Sequence, residues 1–177
     1  MVVPPDHSEL GSHFTKCVLT SALDTNLLQE HWREQKKAAV VEKLIHLAEI
    51  SKIELYVTAR IHEDIPRPPL SEKIAQLQEL HVNKTGSVIR VGYWRVGRDM
   101  VGNRQFNQFH EDASRLVAQR GKNPPDWRDW DHLHVHYLLR HNIFLTWDGG
   151  ILCLAAELFE KFGVVVKSPE EFLESDQ

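Results

Sequence analysis

Two aspartates in this sequence stand where an apolar run gives way to a helical one. Asp24 follows such a run in VLTSALDTNLL, Val18 to Leu28, and Asp148 follows another in FLTWDGG, Phe144 to Gly150. A carboxylate at such a junction has two uses. It can cap the next helix, accepting from the free amides of the first turn. It can also face a ligand, because in an open parallel sheet the binding crevice lies beyond the carboxyl ends of the strands. Glu63 and Asp131 extend the set. Glu63 comes about a turn and a half past Thr58, on a short helix after a second apolar run. Asp131 lies in the first turn of the helix that leads to the strand before Asp148, where it also favours the helix N-terminus electrostatically. Asp64 and Asp129 compete for these two roles, and the spacing to Thr58 and Asp148 favours Glu63 and Asp131.

Carboxylates gathered in one crevice repel one another, and some take up protons unless a cation relieves them. Mg²⁺ and Mn²⁺ prefer oxygen ligands, and Mg²⁺ keeps much of its water. A cation so held can lower the pKa of a bound water and stabilise charge on a phosphate. A set of acids without a histidine or cysteine ligand therefore points to metal-assisted phosphodiester hydrolysis. The run DHLHVH, Asp131 to His136, has the look of a metal motif. It reads as a helix, however, on which residues two apart point in different directions. His132 and His136 share a face, and packed or solvated histidines are expected.

The elements that must position these acids alternate. Val18–Leu23 and Ile53–Thr58 read as strands. Asn26–Ser51 is helical by its apolar spacing, in two helices joined near Gln35. A short helix over Arg60–Ile65 stops at Pro66, Pro68 and Pro69. Leu70, Ile74, Leu77 and Leu80 fit an amphipathic helix. Ser87–Trp94 reads as a strand or hairpin arm, and Phe106–Gln119 as a helix. In the last third, Asp129–His141 is a helix, Asn142–Thr146 a strand, Gly150–Phe162 a helix ended by Gly163, and Val164–Val166 a strand. Ser168, Pro169 and Glu171 then give a capping box for a final helix. Alternation of this kind predicts an α/β protein with a mostly parallel sheet covered on both faces.

A chain of 177 residues is expected to form one domain. The expected organisation is an N-terminal tail over 1–13 and a domain over 14–177, within which 66–125 is a basic insertion between the second strand and the C-terminal third. Net charge is −4, which argues against a generally basic nucleic-acid protein. The charge is uneven. Lys84–Lys122 holds eight Lys or Arg against three acids, leaving −9 for the rest. Within it, Arg90, Arg95, Arg98 and Arg104 alternate with Tyr93, Trp94, Phe106 and Phe109. Arginines neutralise phosphates and aromatic rings stack on unpaired bases, although such aromatics also complete apolar cores. Cys17 and Cys153 lack zinc spacing and read as reduced thiols. No apolar run is long enough to span a membrane. The N-terminal residues lack the pattern of a secretory signal, so a cytoplasmic protein is expected.

Taken in order, several segments resemble the PIN-domain nucleases, which include the toxins of bacterial toxin–antitoxin pairs. They are ALDTNLL around Asp24, YVTARIHEDI around Glu63, DWDHLHVHYLLRHNIFLTWD from Asp129 to Asp148, and GVVVKSPEEFL near the end. The resemblance does not cover Pro66–Arg128. It implies a three-layer α/β/α fold with a five-stranded parallel sheet. It implies that Asp24, Glu63, Asp131 and Asp148 bind Mg²⁺ or Mn²⁺ and cleave single-stranded RNA, with Asn26 and Thr146 as supporting polar residues. Candidate partners are single-stranded RNA, an antitoxin protein and a second copy of the chain. His134 and His136 stand where the family often has small residues facing the sheet. The competing expectation is a non-catalytic module of the same fold that binds RNA or protein.

Overall fold

The computed structural model describes residues 18–33, 37–58, 61–64, 72–73, 80–83, 104–119 and 127–175. Its strands are β1 (Leu19–Leu23), β2 (Ile53–Thr58), β3 (Leu80–Asn83), β4 (Ile143–Leu145) and β5 (Val166–Lys167). The helices are α1 (Thr25–Trp32), α2 (Ala38–Glu49), α3 (Ile61–Asp64), α4 (Arg104–Gln119), α5 (Trp127–Leu139), α6 (Gly149–Leu152), α7 (Ala155–Phe162) and α8 (Pro169–Ser175). Strands hydrogen-bond in the order β3-β2-β1-β4-β5, and every neighbouring pair is parallel. The protein is thus α/β. No helix among the described residues is long and apolar enough to cross a membrane.

Side-chain alternation along the strands divides the core in two. Ile53, Leu55 and Val57 of β2 and Ile143 and Leu145 of β4 join Leu27 and Leu28 of α1, Val41 and Leu44 of α2, and Phe172 of α8. Ala22 of β1, Phe144 of β4 and Val166 of β5 join residues of α4, α5 and α7 in a second cluster. Neighbouring residues of a strand point to opposite faces, so helices pack on both sides of the sheet. This double burial explains why the strands read as apolar runs and not as alternating ones.

The strands begin at one edge, where the preceding helices end in left-handed caps. Ser51, Arg140 and Gly163 have φ of 54°, 54° and 68°. After α5, the Arg140 amide donates to the Tyr137 carbonyl (3.3 Å) and the His141 amide to the His136 carbonyl (3.4 Å), the paired bonds of a Schellman turn. The capping box of α8 is present: the Ser168 amide donates to Glu171 Oε2 (3.0 Å), and the Glu171 amide to Ser168 Oγ (3.2 Å).

The structure differs from the sequence expectation in the middle. The segment expected as an insertion supplies β3, which pairs along β2, and α4, whose Phe109, Ala113 and Val117 enter the second core cluster. Leu80 belongs to β3 and not to an amphipathic helix. The helix expected over Gly150–Phe162 is broken at Cys153–Leu154 into α6 and α7. Arg90, Arg95 and Arg98, the strand expected over 87–94 and Cys17 lie outside the described residues, as do the side chains of Glu63 and Arg104.

Candidate carboxylate site

At the opposite edge, where the strands end, polar side chains replace the apolar core. Asp24 follows β1 and occupies the N-cap position of α1, but its side chain makes no cap hydrogen bond. It accepts instead from Thr146 Oγ1 at 2.6 Å, across 122 residues of sequence. Parallel pairing of Leu23 with Leu145, and a bond from the Asp24 amide to the Leu145 carbonyl, fix this meeting. Thr146 is fully buried and serves two partners, since its hydroxyl also accepts from the Asp148 amide at 2.9 Å. Asp148 caps α6, its Oδ1 accepting from the Ile151 amide at 2.9 Å. One threonine thus ties both strand-end aspartates together.

Asp24 is only 3% exposed. Burial raises its pKa above the usual carboxylate value. His132, the Thr146 hydroxyl and the Asn26 amide oppose that rise, and the negative charge of Asp148 adds to it. Two residues along α1, Asn26 Oδ1 is buried without a hydrogen-bond partner among the described residues.

A second polar group adjoins the first through the chain itself. Thr25, next to Asp24, donates from its Oγ1 to Asp64 Oδ2 at 3.1 Å. His132 Nε2 lies 2.9 Å from the same Asp64 oxygen and 3.2 Å from Thr25 Oγ1. Its Nδ1 lies 2.6 Å from Thr58 Oγ1 at the end of β2. His132 is 2% exposed and belongs to α5. Four segments therefore meet around one imidazole: the end of β2, the start of α1, the end of α3 and the middle of α5.

The faces of α5 decide where its acids go. His132 and His136 look to the sheet, the first on Thr58 and the second edge-on to Phe144 at 5.6 Å. His134 looks to α4, with its ring 5.1 Å from that of Phe109. Residues three or four apart share a helix face. Asp131 therefore goes with His134, and its Oδ1 lies 3.5 Å from His110 Nε2 of α4. Asp129 goes with His132 on the sheet side, one turn nearer the strand ends.

Of the residues singled out from sequence, Asp24, Asp148, Thr146 and Asn26 share the carboxyl edge. The structure shows Asp131 contacting α4, and it leaves the Glu63 side chain undescribed. Among the described residues, no three His, Cys, Asp or Glu side chains gather into a group able to hold a metal. A cleft of about 590 Å³ opens at the other sheet edge, lined by residues such as His136, Arg140, His141 and Val164, and none of these acids lines it. Sequence reasoning missed Thr25, Thr58 and His132 as site residues. The available signal was a threonine beside the end of each central strand. No protein-family model and no curated protein matches the chain.

Proposed function

We propose that the protein is a PIN-type endoribonuclease that hydrolyses phosphodiester bonds of single-stranded RNA with Mg²⁺ or Mn²⁺. The observation that carries this reading is the joining of Asp24 and Asp148 by Thr146 at the carboxyl edge of a parallel sheet. The α/β topology, with helices on both faces, accords with the five-stranded, three-layer arrangement that the resemblance implies.

The donor chemistry suits a hard cation. A buried carboxylate whose pKa is raised by burial gains from a nearby positive charge. Asn26 Oδ1, buried and without a partner among the described residues, offers a further oxygen in the same turn of α1. Mg²⁺ is commonly held by one or two carboxylates while keeping several waters, so a convergent trio of side chains is not required. Asp24 and Asp148 would hold the ion, with Asp64 or Glu63 beside them. For the α5 acid, spacing favours Asp131 but packing favours Asp129, which shares the His132 face; we assign the role to Asp129. When bound, the cation supplies an activated water and neutralises charge at phosphorus. The chain's own residues fix the carboxylates, through Thr146, Thr25 and His132, and keep Asp24 away from bulk water.

Cleavage of a 5′-labelled single-stranded RNA, assayed with and without Mn²⁺, tests the reading. Wild-type protein should cut only with metal, and Asp24→Asn and Asp148→Asn should each lose about 10²-fold or more. Equal cutting by wild type and Asp24→Asn would remove the assignment. The competing reading is a non-catalytic module of the same fold that binds RNA or protein. RNA retention without metal-dependent turnover would select that alternative.

A further inference from the structure

We propose that His132 is a positioning residue: its Nε2–H holds Asp64 beside Asp24, and Thr58 locks the imidazole in the orientation that does so. The inference deepens the reading above and rests on it for its functional meaning, but its structural content stands on the hydrogen bonds. DHLHVH reads from sequence as packed or solvated histidines, whereas His132 is buried against two threonine hydroxyls and a carboxylate.

His132 Nε2 lies 2.9 Å from Asp64 Oδ2. A carboxylate oxygen accepts, so the ring nitrogen facing it carries the proton. In a neutral imidazole the other nitrogen must then accept, and Thr58 Oγ1 lies 2.6 Å from it, placed to donate. The same Asp64 oxygen receives the Thr25 hydroxyl at 3.1 Å. Two donors from two helices thus converge on one oxygen of Asp64, at the end of a four-residue helix with little rigidity of its own. Burial of His132 to 2% excludes water as a competing partner for the ring. Thr25 is covalently next to Asp24. The position of Asp64 is therefore set relative to Asp24, and not merely to α5. Hydrogen bonds of this kind to a metal-binding carboxylate characteristically change metal affinity 10- to 100-fold when removed.

The test uses the full chain and two readouts. Two-bond ¹H–¹⁵N correlation spectra of the imidazoles in metal-free buffer report which nitrogen of His132 is protonated; Nε2–H is expected, and an Nδ1–H ring would overturn the proposal. Mn²⁺ binding is then followed by the loss of the free-ion electron paramagnetic resonance signal. His132→Phe should weaken Mn²⁺ about 10- to 100-fold. His132→Gln, whose amide nitrogen can reach the Nε2 position, should recover most of that loss. Thr58→Val, a smaller change than His132→Phe, should keep the Nε2–H tautomer that Asp64 imposes, free the ring's orientation, and weaken Mn²⁺ in the same direction. Lower thermal stability in these variants with unchanged Mn²⁺ affinity would make His132 a core residue only. Wild-type protein that binds no Mn²⁺, yet shows the Nε2–H ring, would reject the metal reading and leave the Asp64 contact standing.

Discussion

A buried hydroxyl between two aspartates performs two tasks that a methyl group cannot. Thr146 Oγ1 donates to Asp24 and accepts from the Asp148 amide. Thr146→Val keeps the shape and strands both partners, so about 1–3 kcal/mol of stability should be lost, most of it restored by Thr146→Ser. Urea denaturation of the two variants checks this; equal losses would assign the effect to packing. Asp24 itself behaves in the opposite sense. Burial raises its folded pKa above the unfolded value of 3.8. A carboxylate shifted upwards contributes most below the unfolded value, and that contribution falls as pH rises through the folded pKa. At neutral pH and without metal, ionised Asp24 is thus a liability. Asp24→Asn should be at least as stable as wild type in EDTA at pH 7, with the difference closing toward pH 4, even while activity is lost. A wild type clearly more stable at pH 7 would show that His132 and Thr146 outweigh burial. Asp24 and Asp148 were legible in sequence because each stands between the end of a strand and the start of a helix. His132 was not, because its partners Thr58 and Asp64 lie 74 and 68 residues away and only the fold brings them near.

At the scale of an element, α5 shows packing choosing between two sequence readings. Its three histidines, at alternate positions, read as packed or solvated, and all are 2% exposed. The helix lies between the sheet and α4, so a polar stripe on either side is still interior. Burial pushes His134 down to about 4 and His136 down to about 3, the latter helped by the nearby charge of His141. Histidines whose folded pKa is depressed below the ordinary value of 6.5 are neutral in the native state at neutral pH. Their contribution is complete above pH 6.5 and is lost as pH falls toward 4 and 3, because the unfolded chain takes up the protons first. At about 1.4 kcal/mol per pKa unit, His136 alone brings a loss of a few kcal/mol over that window. Wild-type stability should fall steeply from pH 6.5 to pH 4, and His136→Phe should flatten the slope; urea midpoints at several pH values would show it. The end of α5 offers a contrasting change. Arg140 holds φ of 54°, a conformation that costs a non-glycine residue roughly 1–2 kcal/mol. Arg140→Gly should raise stability by about 1 kcal/mol at the same denaturant slope.

Across the whole molecule, the two edges of the sheet are built for different ends. Left-handed caps such as Arg140 and Gly163 turn the chain into its strands at one edge, and hydroxyls and carboxylates collect at the other. Alternating apolar runs and helical stripes made the parallel α/β architecture readable, and the glycine and proline punctuation of the last third placed β4 and α8 within a few residues. The middle was not readable. A four-residue strand carries too little pattern to announce itself, and Leu80 of β3 continues the helical spacing of Leu70, Ile74 and Leu77. Phe109 was read either as a base-stacking ring beside the arginines or as part of an apolar core, and it belongs to the core. The residues that meet at the carboxyl edge come from 24 to 148 in the sequence, so only the folded chain brings them together. A divalent cation that binds only the assembled edge must then stabilise the whole fold, by RT ln(1 + [M]/Kd), or about 2.7 kcal/mol at a hundred times the Kd. Mn²⁺ should raise the thermal midpoint of wild type in a concentration-dependent way. Asp24→Asn combined with Asp148→Asn should remove the response while leaving the metal-free midpoint no lower than that of wild type, since asparagine caps α6 as well as aspartate does. A midpoint that rises equally in the double variant would place the ion elsewhere on this acidic surface and separate the carboxyl edge from metal chemistry.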